Sequence, residues 1–116
     1  MKAPDIQTAV PVRRYALGDY TAVVLHDIKT REERIYRFIL ALVPFGEPAP
    51  VLFITAEATD EAPDRGDTII RVIAESGERA FGPDARWRDL DQFIEDALLM
   101  ARKVLRMEGE EHRRLQ

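Results

Sequence analysis

The chain has 116 residues, a net charge of −4, and 46% hydrophobic against 33% charged residues, the balance of a folded domain and not of a disordered one. It contains no cysteine, which excludes disulfides, thiolate metal sites and a cysteine nucleophile. The acidic balance also argues against nucleic acid, whose binding needs a basic footprint to replace counterions.

The first eight residues form no apolar leader, and no apolar run approaches the ~20 residues of a membrane span. The reading is a soluble, cytoplasmic protein without membrane contact. Arginine outnumbers lysine 14 to 3, which points to a bacterium with a GC-rich genome. No internal repeat or linker divides residues 1–116, so one domain is expected.

Residues 1–9 show no periodicity and read as a flexible arm. Val10 to Leu17 reads as a first strand, with Pro11 placing it at an edge. Gly18-Asp19 is a two-residue hairpin signal. The second strand runs from Tyr20 to Ile28 and the third from Arg34 to Val43. On the third, Tyr36, Phe38, Leu40 and Leu42 are expected on one face, with Arg37, Ile39 and Ala41 on the other. After Pro44-Phe45-Gly46 a fourth strand covers Pro50 to Ala58. These runs are apolar on both faces, the pattern of strands buried on both sides. A fifth strand spans Asp67 to Glu75, and Arg79 to Phe81 is a short candidate sixth. The β-meander thus occupies residues 10–83.

Residues 84–108 read as one long helix, with Asp84 as N-cap. Trp87, Leu90, Ile94, Ala97, Leu98, Ala101, Val104 and Leu105 recur at helical spacing. Residues 109–116 read as a frayed polar tail. The expected fold is α+β: an antiparallel meander of five to six strands followed by one C-terminal helix packed on one sheet face.

That arrangement leaves a mismatch. Five strands at ~4.8 Å span roughly 24 Å, whereas a helix with its side chains is about 10–12 Å across. An apolar central patch on the far face then needs a cover, by a second copy, by curling of the sheet, or by a ligand or partner protein. A homodimer is the favoured expectation, with Ile39, Val51 and Phe53 on the open sheet face, or Met100 and Met107 on the helix flank, as the contact surface.

The chemistry-bearing residues give weaker signals. His26 adjoins Asp27, but neighbours in a strand point to opposite faces, so the pair is not expected to touch. Glu57, Asp60, Glu61, Asp64 and Asp67 lack the alternation and glycine of a calcium loop. Arg13, Arg37 and Arg71, with Tyr36 as a stacking platform, could line a face for single-stranded nucleic acid. The competing reading pairs such arginines across strands with Asp27, Glu33, Glu57 and Glu75. No dinucleotide, phosphate-loop, nucleophile-elbow or zinc-protease motif is present. The reading is a non-enzymatic binding or assembly module with no cofactor, no metal and no catalytic residue. A single-strand nucleic-acid binder is the alternative.

Overall fold

The computed structural model describes residues 1–116. Seven strands and one long helix follow one another: β1 Ile6–Leu17, β2 Tyr20–Thr30, β3 Tyr36–Pro44, β4 Leu52–Ala58, β5 Thr68–Ala74, β6 Gly77–Phe81, α1 Leu90–Val104 and β7 His112–Arg114. All strands pair antiparallel in one sheet of order β6-β5-β4-β3-β2-β1-β7. The fold is α+β, as the meander-then-helix order predicts, with seven strands in place of five or six. No helix is long and apolar enough to cross a membrane.

The two extra pieces of sheet come from the chain ends. Strand β1 begins at Ile6, so residues 6–9 are paired strand and not an arm. The predicted frayed tail supplies β7, where His112, Arg113 and Arg114 pair with Leu17, Ala16 and Tyr15. The Tyr15 and His112 rings meet edge to face at 5.5 Å, and the Leu115 N–H donates to the Arg14 carbonyl. Polar composition hid this strand, because an edge strand with two solvated faces carries no apolar alternation.

One face of the sheet is closed by α1. Phe93, Ile94, Ala97, Leu98 and Ala101 recur on one helical stripe and are buried against Leu40, Leu42, Leu52, Ile54, Ile70 and their neighbours. Each large core side chain contributes roughly 1.5–3 kcal/mol of burial. The helix is shorter than predicted. Asp84 caps only a 3₁₀ turn over Ala85–Arg88, and Asp89 then caps α1 by accepting the Gln92 N–H at 2.9 Å. Trp87 in that turn is buried, and its indole N–H donates to Asp96 at 2.7 Å. At the other end Arg106 adopts φ 55°, the Met107 N–H reaches back to the Arg102 carbonyl, and the Arg106 N–H to that of Lys103. This double bond pattern is a Schellman stop.

The far face is closed by the chain itself. Tyr36, Ile39, Ala41, Phe53 and Ile73 form a second buried cluster, with Ile6, Leu25 and Ile28 packed on it. The β2–β3 ladder runs only from Tyr20–Pro44 to Leu25–Ile39, while β2 continues to Thr30 with β1 as its partner. Three register shifts in the β1–β2 pair bend this distal hairpin over the second cluster. The segment before β1 reaches further still, placing the Met1 amino group 3.4 Å from the Glu75 carboxylate beyond β5. Sheet curvature therefore supplies the second cover that the sequence pattern demands.

Candidate functional site

The residues singled out as an open contact surface do not share one. Ile39 and Phe53 lie inside the second cluster at 0% and 7% exposure. Val51 is exposed in the connection before β4. Met107 packs on the chain's own β1–β2 turn, where a side chain at Gly18 would collide with it. Met100 alone of the five faces a cavity that is open to solvent.

The residues proposed for nucleic acid are equally dispersed. Arg13 is tied to Asp91 of α1, and hydrogen bonding to Asp91 holds its pKa above the ordinary arginine value. Arg37 donates to Thr68 at 3.0 Å and sits 3.5 Å from Asp67. Arg71 belongs to a cross-strand network on the far face. Its Nε donates to buried Glu57 at 2.9 Å and its Nη1 lies 3.5 Å from Glu78. Thr55 also donates to Glu57 at 2.7 Å, and Arg34 approaches the same carboxylate at 3.8 Å. Of the four carboxylates expected to take these arginines, Glu57 does so. Pairing leaves the network without a free cation.

A β-bulge explains the position of Tyr36. Tyr36 opposes Glu57 and Phe38 opposes Ala56, so two steps on β3 match one on β4. Tyr36 therefore turns to the second cluster, and Phe38 faces the helix, stacked at 5.4 Å on Phe93. The two were expected on one face. The Tyr36 hydroxyl donates to Glu32 at 3.0 Å, and burial pushes its pKa up to about 12. Asp27 shows a second departure from simple alternation. Its φ of 49° breaks the pleat and brings its carboxylate 3.7 Å from His26 Nε2. The contact joins two partly or largely exposed side chains at 36% and 77%, with no third group behind the histidine.

A concavity with apolar walls lies elsewhere, between the outermost strand β6 and the second half of α1. This groove of about 410 Å³ is floored by Val72, Ala74 and Phe81 and walled by Met100 and Val104. It exists because the residues facing it are small where the hairpin turns. Gly77 opposes Ala74, and a Cβ added at Gly77 would meet nothing within 4 Å. Val104 remains 44% exposed because β6 is too short to cover it. In the β5–β6 register Arg79 opposes Val72 and Phe81 opposes Ile70, so both side chains stand on the helix side of the sheet. The Arg79 guanidinium lies over the Phe81 ring at 5.3 Å. As the end strand, β6 is hydrogen-bonded on one side only, by β5.

Sequence reasoning found one wall of this groove, Met100, and assigned Val104 to the covered helix stripe. The available signal was a stripe reaching Val104 opposite a hairpin of Ala74, Ser76 and Gly77 that has too little side-chain volume to cover it. No protein-family model, curated protein or solved structure matches the chain.

Proposed function

We propose that the chain is a non-enzymatic binding module that takes an extended segment of a partner protein along β6, with the partner's side chains entering the groove against α1. The observation that carries this reading is the adjacency of two features: a one-sided edge strand and an apolar groove running beside it. Edge strands offer main-chain hydrogen bonds, and alternate side chains of an added strand then find the pocket. The floor is preformed by β5 and the walls by a helix, so little ordering opposes binding. The non-enzymatic reading is supported by the way polar groups are used, with Glu57, Arg71, Tyr36 and Trp87 each engaged in a structural bond.

The nucleic-acid alternative draws less support, because Arg13, Arg37 and Arg71 each face a carboxylate. The homodimer reading changes its basis: the central patch that called for a second copy is covered by the β1–β2 hairpin, which leaves the two sheet edges, β6 at one end and β7 with the rest of β1 at the other, as the places where two copies could join.

Selection from an unbiased library of extended peptides tests the proposal. Selected peptides are expected to shift the amide resonances of residues 77–81 and of the second half of α1. Val104→Glu should weaken them by about tenfold or more, the effect of losing ~1.4 kcal/mol or more of apolar contact. A library that yields no binder, or binders that shift other residues, removes the reading.

A further inference from the structure

Two cations stand on the rim of the groove. Arg79 and Lys103 both line it, and neither takes part in an ion pair. The reason is local. Arg79 opposes Val72 across the β5–β6 ladder, and Lys103 has Leu99 and Met100 at the helical spacings of four and three, so neither meets a carboxylate. Glu78, the one acidic residue on the groove, is committed to Arg71 at 3.5 Å and Arg34 at 4.0 Å. Arg13, Arg37 and Arg71 of the sheet each face a carboxylate, and although Arg14, Arg113 and Arg114 are also without an ion pair, at this groove two unpaired cations stand beside an apolar hollow.

Resting on the strand-addition reading, we infer that the occupant is an extended peptide with a large apolar residue and an acidic residue two positions apart, the apolar side chain filling the hollow at Gly77 and the carboxylate pairing with Arg79 and Lys103. The spacing follows from the pleat. Gly77 and Arg79 are two apart on β6 and face the groove together. Residues of an added strand opposite them are also two apart and share that face, whichever way the strand runs. At Gly77 there is open space bounded by Ala74, Met100 and Val104, which suits an aliphatic or aromatic side chain. At Arg79 a carboxylate directly opposite makes a cross-strand charge pair, whereas a lysine there would be repelled.

Two synthetic peptide pools distinguish the outcomes. Both consist of seven-residue strands rich in threonine and valine with a central leucine; one carries glutamate two residues from it and the other lysine. By fluorescence anisotropy at ~50 mM salt, where surface charges are weakly screened, the glutamate pool should bind about tenfold more tightly. Arg79→Glu should reverse the preference, and Arg79→Ala should reduce it, with Lys103 keeping the remainder. Both side-chain changes fall on an exposed residue, so thermal unfolding should stay at the wild-type temperature. Equal affinity of the two pools overturns the acidic motif and leaves strand addition standing. If neither pool binds at ~1 mM, a ceiling of ~4 kcal/mol, and the resonances of residues 77–81 stay fixed, both fall. A doubled mass in light scattering with protected β6 amides overturns the peptide in favour of a second copy.

Discussion

At Tyr36 the phenol is held neutral by burial, and the consequence is a pH dependence with a definite sign. An unfolded tyrosine titrates near 10, while in the fold the value rises to about 12. Between these values the native state binds more protons than the unfolded chain. The stability contributed is therefore complete below pH ~10 and is lost as pH rises toward about 12. At pH ~11 the expected loss is about 1 kcal/mol. Urea denaturation at pH ~9 and ~11 should show wild type losing that much more than Tyr36→Phe; parallel losses would mean that the phenol is not insulated as described. Tyr36 also marks what one residue can hide from sequence. Alternation puts it with Phe38, and it fails because Arg37 is the extra residue of a bulge. Asp27 misleads in the same way, since the His26–Asp27 contact depends on a positive φ that Asp tolerates but does not announce.

Among the elements, α1 shows which boundaries are legible. Its apolar stripe and charge gradient reveal the helix, yet both ends lie inside the expected span. The N-terminal end was ambiguous because Asp84 and Asp89 are both competent caps, and each is used, one for the 3₁₀ turn and one for α1. The C-terminal end carries no glycine signal, because Arg106 occupies the left-handed position that glycine usually takes. Arg106 side-chain replacement by glycine should relieve that strain. Arg106→Gly is expected to raise stability by ~0.5–1 kcal/mol in chemical denaturation, offset in part by the freer unfolded chain. A loss of stability would instead indicate that the arginine makes compensating contacts. The groove was half legible for a related reason. Helical periodicity exposes Met100 and Val104 to view, but the depth of the hollow depends on Gly77 opposing Ala74, a register that one strand's sequence does not contain.

For the molecule as a whole, the two-faced apolar pattern of β2 to β4 was a correct demand for two covers. What sequence could not show was that the second cover is the same hairpin that begins the sheet. Curvature arises from register shifts between β1 and β2, and these are properties of a pair and not of either strand. The distal half of this hairpin has an unusual standing in the fold. From His26 to Thr30, β2 has lost β3 as a partner, and Ile6, Leu25 and Ile28 provide its apolar hold on the second cluster. Such a segment is a unit of sub-global opening, whose free energy lies well below that of complete unfolding. Native-state hydrogen exchange should find the amides of residues 26–30 released in mild denaturant while those of Val23 to Leu25 remain protected; simultaneous release would join the segment to the global transition. Each opening bares Ile39 and Phe53 in the middle of the sheet. The chain thus carries a latent sticky face, so its tendency to self-associate should track the excursions of this flap and not its melting temperature.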